Sequence, residues 1–279
     1  MKITVEGCGD AQQAIARLGQ GSFDLVISDI NLPDHDGFRV LAEAKARQPQ
    51  AKTALITAYK VEDYVRLAKE TGICNIIAKV APFDFQELSQ VVNNLLHPAS
   101  CFGLASYLRP EAEVHQRHIT HSDGIMEAFY ALREYFTQQG VTTVDDLSTA
   151  LIEALTNAVY HAAKHPDGTL KYQKGQVIEA LTPDEVVTLT YGRDSQRIGV
   201  SISDQKGQIS AQDILYWLDR NIHGAGLLDT HGRGVYLMHS LVDRLIINIA
   251  PGRQTEILIL NYFSDTYRSN KPLYINQLS

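Results

Sequence analysis

The sequence predicts two folds in series, an α/β half built on a parallel sheet and then an α+β two-layer sandwich. Three observations carry this reading. Over the first hundred residues, apolar runs of strand length alternate with stretches of helical period, as in a parallel sheet covered on both faces. Across 98–113 the periodicity stops and Pro98 and Pro110 appear, so a linker is expected there. Beyond it, long helical stretches accompany strands that pair as hairpins, which indicates helices layered on an antiparallel sheet.

In order, Ile3–Val5 reads as a short opening strand and Ala11–Leu18 as an amphipathic helix. Asp24–Ser28 (DLVIS) is an apolar run of buried-strand length, followed by a helix at Phe38–Gln48 and a second strand at Thr53–Thr57 (TALIT). A helix at Val61–Thr71 is ended by Gly72, a strand follows at Asn75–Ala78, and a helix at Phe85–Leu96 stops before Pro98. The second half opens with a strand at Val114–Thr120 and a helix from Gly124 to Gln139, closed by Gly140. Thr143-Val144-Asp145-Asp146 has the hydroxyl and the acid of a helix start. The helix it would open carries Leu147, Leu151, Ala154, Leu155, Ala158, Val159 and Ala162 on one face. Further strands are expected at Val186–Tyr191, Ile198–Ser203, Leu245–Ala250 and Glu256–Tyr262, the last two joined by a Pro251-Gly252-Arg253 turn. From Asp265 no pattern remains. The expected domains are therefore 1–97 and 114–264, with a linker at 98–113 and a tail at 265–279.

Composition narrows the function classes. With 44% hydrophobic and 20% charged residues, the 279-residue chain is of globular type and long enough for two domains. A net charge of −7 and no basic run argue against direct nucleic-acid binding. No run of apolar residues is long enough for a membrane span, and the N-terminus lacks a signal-peptide pattern, so a cytoplasmic location is expected. The three cysteines, Cys8, Cys74 and Cys101, have no metal-ligand spacing and imply no disulfide framework.

Asp29 follows the strand at 24–28, Thr57 ends the next strand and Lys79 ends the one after. A parallel sheet binds ligands at its carboxyl ends, so a carboxylate, a hydroxyl and an ammonium converge there. That set suits acyl-phosphate chemistry, with the carboxylate as nucleophile and the other two stabilising phosphoryl oxygens. Through D-L-V-I-S-D-x-N-L-P-x-x-D-G, residues 1–97 resemble the receiver domain of two-component response regulators. The resemblance implies a flavodoxin-like fold with Asp29 as phosphoacceptor and Mg²⁺ ligand, Thr57 as the switch hydroxyl and Lys79 as its lysine. It also implies a sensor histidine kinase or a phosphotransfer protein as the phosphoryl donor. The chain opens at what corresponds to the family's second strand, so the first strand, with its acidic pair, and the first helix are not in it. A start assigned too late is the expectation, ahead of a degenerate domain. Two further departures are Lys79-Val80-Ala81-Pro82, where the family puts proline directly after the lysine, and Ile76 in place of a frequent aromatic.

In the second half Glu153 and Asn157 are four residues apart on one helical face. An Asn oxygen can ligate Mg²⁺, and a Glu one turn earlier can polarise a water or a hydroxyl. Asp204 ends a strand, where it can accept from an adenine amino group. Gly232-Arg233-Gly234 precedes the helix expected at Val235–Asp243, and glycines at a helix start suit phosphate. Through A-L-I-E-A-L-T-N-A-V-Y-H-A at 150–162 and H-G-R-G-V-Y-L-M-H-S-L-V-D at 231–243, residues 114–264 resemble the GHKL (Bergerat-fold) ATPases. The nearest resemblance is to anti-sigma factors that are serine protein kinases. It implies that Asn157 holds Mg²⁺ with ATP, that Glu153 is the general base, that Asp204 meets adenine and that Gly232 and Gly234 cradle phosphates. Arg233 either neutralises phosphate or is solvated. Residues 208–231 would form a lid hinged at Gly224-Ala225-Gly226.

The family's Asp-x-Gly-x-Gly appears here as Asp204-Gln205-Lys206-Gly207-Gln208, with Gly207 one place off register and still counted among the nucleotide-binding residues. Lys206 is read as solvated, with a phosphate contact as the alternative. His161, His165 and His231 read as polar lining. His115, His118 and His121 fall in a predicted strand, and too few residues precede Glu153 for the helical hairpin of a histidine kinase. The expected output is a serine/threonine protein kinase acting on an anti-sigma-antagonist protein, with a sigma factor as a sequestered partner and a homodimer as a further option. The rival is a non-catalytic partner-switching module.

Overall fold

A computed structural model describes residues 3–141, 147–224, 232–264 and 270–278. In the first half β1 (Leu25–Asp29), β2 (Lys52–Thr57) and β3 (Asn75–Ala78) pair in parallel. Around them lie α1 (Ala11–Leu18), α2 (Gly37–Arg47), α3 (Val65–Thr71), preceded by a 3-10 turn at Val61–Tyr64, and α4 (Phe85–Leu96). Aspartates set three of the helix starts. Asp10, Asp36 and Asp84 accept backbone N–H groups of the first turns of α1, α2 and α4.

The second half holds β4 (Glu113–Ile119), α5 (Gly124–Gln138), α6 (Ser148–Thr156), β5 (Val187–Arg193) and β6 (Arg197–Asp204). It continues with α7 (Ala211–Ile222), α8 (Arg233–Leu241), β7 (Arg244–Ala250), β8 (Gln254–Tyr262) and β9 (Leu273–Gln277). The nine strands form one sheet in the order β1-β2-β3-β9-β7-β8-β6-β5-β4. The parallel block and the antiparallel block thus share one sheet, joined by β9, which pairs antiparallel with β3 and parallel with β7.

Three expectations are corrected here. Residues 3–8 form no strand, and Val5 is 83% exposed. Among the described residues no strand lies beyond β1, so this segment has nothing to pair with. Residues 273–277, expected within a tail, are instead the strand joining the two blocks, with Leu273, Tyr274 and Ile275 buried. The linker is not loose: 3-10 turns at Pro98–Cys101 and Leu104–Tyr107 bury Cys101, Leu104 and Tyr107 against the sheet. The helix start expected at Thr143–Asp146 lies outside the described residues.

One sheet face carries α2, α3 and α5–α8 over a continuous apolar core that includes Leu55, Ile76, Leu151, Leu189, Met238 and Ile259. The other face is covered by α4 and the linker. On this second face a buried carboxylate ties the linker down. Glu256 accepts the Gly103 N–H at 3.1 Å, the Ser201 hydroxyl at 2.6 Å and the Asn248 amide at 2.9 Å.

Helix α3 also docks on α7 through charge. Asp219 meets Lys69 and Arg66, the latter at 3.4 Å, and His223 of its own helix at 3.0 Å. Burial pushes the Asp219 carboxyl up, but Lys69 and Arg66 outweigh it and hold the carboxyl below the usual carboxylate range. A depressed carboxyl contributes stability in full above its unfolded pKa of about 4 and loses it as pH falls through the folded value. The Tm of the wild type is therefore expected to fall as pH drops below about 4. Asp219→Asn lowers Tm at neutral pH and flattens that acid limb, which a pH series of thermal melts checks.

Candidate functional site

Asp29 is the last residue of β1, Thr57 the last of β2, and Lys79 follows β3, so the parallel register brings all three to one end of the sheet. The Lys79 ammonium ion-pairs with Asp29, and the Asn31 N–H donates to its other oxygen at 3.3 Å. Thr57 is fully buried, and its hydroxyl accepts the Tyr59 N–H at 3.0 Å. The glycine of the P-x-x-D-G loop is fixed by packing, since a Cβ on Gly37 would lie 1.9 Å from the Asp29 carbonyl oxygen. Among the described residues no group of three or more His, Cys, Asp or Glu side chains is placed to hold a metal ion. Asp29 is one carboxylate, engaged by Lys79 and by the Asn31 N–H, so a Mg²⁺ ion there would have a single side-chain carboxylate ligand.

The second site forms where α6 meets α8. Helix α6 widens into a π turn at Asn157–His161, so Asn157 sits where the helix changes pitch, a feature frequent at functional positions. Gly234, in the first turn of α8, faces this helix. A Cβ there would lie 2.9 Å from Glu153 Oε2 and 3.2 Å from Asn157 Nδ2. The Glu-x-x-x-Asn helix and the Gly-x-Gly turn, about 75 residues apart in the chain, are thereby brought together at close range, with Gly234 facing the ends of the Glu153 and Asn157 side chains. Glu153 Oε1 lies 3.2 Å from the Lys174 ammonium, a partner that no spacing in the sequence announces. Gly232 has φ +86°, and a Cβ on it would enter the Trp217 ring at 2.1 Å. Its carbonyl accepts the Asn221 amide at 3.1 Å. The Gly-x-Gly turn is thus seated on α7. That helix occupies the stretch expected as a lid, and Ala225–His231, including part of the expected hinge, lies outside the described residues. Arg233 is exposed at the start of α8.

Asp204 is buried at the end of β6, and its Oδ1 accepts the N–H groups of Lys206 at 2.7 Å and Gly207 at 3.1 Å. Burial raises its carboxyl above the usual value despite these bonds and two more from the Thr255 side chain and backbone. Gly207, with φ +58°, packs on the β7–β8 hairpin and accepts the Gly252 N–H at 3.1 Å. Lys206 is neither solvated nor free for phosphate. It is 20% exposed and ion-paired with Asp184, whose carboxyl is held down at about 2 by Lys206 and by Thr182.

The two sites are linked through the docked helices. The 3-10 turn after Thr57 carries Glu62, whose carboxylate lies 4.0 Å from Nδ1 of His239 on α8. His239 is buried, and its Nε2 lies 3.2 Å from the Pro272 carbonyl. In the same loop the Tyr59 carbonyl accepts the Asn270 amide at 3.1 Å. The loop leaving Thr57 therefore touches both the glycine-led helix and the approach to β9.

Comparison with known families matches each half. Residues 1–93 match the response regulator receiver domain, and residues 125–260 match the histidine kinase-like ATPase domain. The chain thus joins a receiver domain to an ATPase-like domain. Among curated proteins it is similar to the response regulator protein FleR of Pseudomonas aeruginosa, 34% identical over 29% of this chain and 17% of that protein. It is similar to the response regulator protein PilR of the same species, 30% identical over 34% of this chain and 21% of the relative. It also resembles sporulation initiation phosphotransferase F of Bacillus subtilis, 33% identical over 26% of this chain and 57% of that protein. The chain spans less than two thirds of the length of each of these relatives. Among the described residues no helix is long and apolar enough to cross a membrane.

Proposed function

We propose that the protein is a cytoplasmic two-component response regulator whose receiver domain governs an ATP-binding output domain of the anti-sigma serine/threonine kinase type. The observation that carries this is the meeting of Glu153 and Asn157 with the Gly232–Gly234 turn, which is seated on α7, the helix paired with α3 of the receiver. Asp29 is the phosphoacceptor, with a sensor histidine kinase or phosphotransfer protein as donor. Its carboxylate is the nucleophile, Lys79 neutralises the phosphoryl oxygens and Thr57 is the switch hydroxyl. Phosphorylation draws Lys79 and Thr57 toward a new anion and so re-aims the Tyr59–Glu62 loop. That loop bears on His239, and the change biases the position of α8 at the ATP site.

In the output domain the donor set, an amide oxygen and a carboxylate facing the glycine at position 234, fits a nucleotide with Mg²⁺. Asn157 would hold the metal, and Mg²⁺ supplies neutralisation of phosphate charge when bound. Gly232 and Gly234 let the α8 N-terminus approach phosphate, Arg233 lies beside it, and Asp204 with Gly207 would border the adenine. Glu153 takes the proton of a substrate hydroxyl, and Lys174 holds its carboxylate in place meanwhile. The substrate on this reading is an anti-sigma-antagonist protein, and a sigma factor is the sequestered partner.

A second reading, a non-catalytic partner-switching module, is favoured by the Asp204 loop. Asp204 spends Oδ1 on its own backbone, and Lys206 is committed to Asp184. Calorimetric titration with ATP and Mg²⁺ separates the two. Binding at about micromolar Kd, lost in Asn157→Ala, is expected of the kinase. Absence of binding at millimolar nucleotide would leave the switching module.

A further inference from the structure

On the sheet face away from Glu153, a cavity of about 230 Å³ lies between α4, the chain around Leu108–Pro110, and strands β3, β9, β7, β8 and β6. Two buried polar atoms on its lining make no hydrogen bond among the described residues. Asn75 is 3% exposed; its amide nitrogen donates to the Ile275 carbonyl at 3.2 Å, and its Oδ1 accepts nothing. Arg197 has its side chain 14% exposed; it donates through Nη1 to the Tyr262 hydroxyl, while its Nε makes no hydrogen bond and lies 3.6 Å from Asp194. A buried group left unpaired costs about 1–3 kcal/mol, so each orphan marks a place where a partner from outside the chain would be stabilising.

The two orphans differ in kind, one an acceptor and the other a cationic donor. They also stand apart. β9, β7 and β8 separate β3 from β6, four spacings of about 4.8 Å. A molecule satisfying both must be elongated, with a hydrogen-bond donor at the Asn75 end and an acceptor at the Arg197 end. Charge favours an anionic acceptor. Arg244 on the lining is matched by Glu87, and Arg197 has Asp194 beside it, whereas the Arg109 guanidinium meets no acidic side chain among the described residues. Between the ends the lining is mixed, with Val91, Leu108, Ile246 and Leu260 interleaved with polar side chains such as Asn94 and Asn276.

We propose that this cavity binds a small, elongated monocarboxylic acid with a partly apolar middle and an O–H or N–H at its far end. The carboxylate faces Arg197 and Arg109, and the donor faces Asn75. The site lies at the seam of the two domains and is roofed by α4, so occupancy would fasten the receiver to the ATPase sheet.

The test is calorimetric titration of the full chain with 3-(4-hydroxyphenyl)propanoate, with 3-phenylpropan-1-ol as the neutral probe. The acid is expected to bind saturably with one site, and the alcohol more weakly by about tenfold or more. Arg197→Gln is expected to weaken the acid by a similar factor, and Val91→Phe, which fills the cavity, to abolish binding. Thermal melts of both variants establish that they fold, and either one alone suffices for the comparison. Equal binding by wild type and a folded variant would put the ligand elsewhere and overturn the proposal. No saturable binding up to about 10 mM would mean a cavity that holds water only, and would overturn it equally.

Discussion

Arg244→Met is expected to destabilise the protein by about 3–5 kcal/mol, because it strands a buried carboxylate. Arg244, at the start of β7, is 1% exposed and grips Glu87 of α4 at 2.6 and 3.0 Å. Glu87 also accepts the Tyr274 hydroxyl of β9 at 2.8 Å, so one carboxylate joins the receiver helix to two strands of the joint sheet. Burial pulls the Arg244 pKa down and Glu87 more than restores it, while burial raises the Tyr274 pKa well above the ordinary value. The guanidinium stays charged and the phenol stays a donor. Removing the cation leaves Glu87, 11% exposed, with one neutral hydroxyl as its partner. The Tm is expected to fall by about 10 °C. Glu87→Gln combined with Arg244→Met recovers part of this loss, and a double-mutant cycle of thermal melts measures the coupling. A loss no greater than that of an exposed ion pair, under about 1 kcal/mol, would show that water reaches the pair.

Gly207→Ala is expected to cost about 2–4 kcal/mol, from backbone strain and overlap acting together. At φ +58° the residue occupies the left-handed region, and its Cβ would sit 2.2 Å from the Ala250 carbonyl oxygen and 2.9 Å from the Arg253 nitrogen. Both atoms, and the Gln254 nitrogen also 2.9 Å away, are backbone, so no rotamer change relieves the clash. The loop from Asp204 would have to lift from the β7–β8 hairpin, and the turn bonds from Lys206 and Gly207 to Asp204 would go with it. Asp204→Asn is the informative partner, since its amide oxygen still accepts those N–H groups while removing a buried charge. Its stability is expected to stay within about 1 kcal/mol of wild type, read by urea unfolding. Nucleotide binding, if it runs through the Asp204 carboxylate, is lost in both variants.

The helices at 11–18 and 85–96 were legible to the residue because an aspartate stands before each and an apolar stripe runs through it. Strand β9 was not legible. Leu-Tyr-Ile-Asn-Gln is five residues long and follows Lys-Pro, and what makes it a strand is the pair of neighbours, β3 and β7, supplied from far away in the chain. Helix α7 did carry a signal that went unread, the Ser210-x-x-Asp213 capping box. The second sheet face was hidden by its chemistry. Glu256, Asn248 and Asn276 have the composition of a solvated face, yet they are buried because they satisfy one another and the linker. Among the candidate site residues, the meeting of Glu153, Asn157 and Gly234 follows the order of motifs in the chain. The pairing of Lys206 with Asp184 and the seating of Gly232 on Trp217 depend on packing that no local spacing encodes.

Strand β9 also has a consequence for how the molecule is made. During synthesis every other described strand leaves the ribosome before it, while its two places of pairing, the facing edges of β3 and β7, are set about 170 residues apart in sequence. Until β9 arrives, both edges present open backbone groups, the kind of surface that recruits strands from other chains. Completion of the sheet is therefore a late event that closes a long loop, and such closures are slow relative to local pairing. A released chain truncated before Leu273 is expected to carry two separately formed sheets and to aggregate through those edges. Addition of β9 turns two folding units into one.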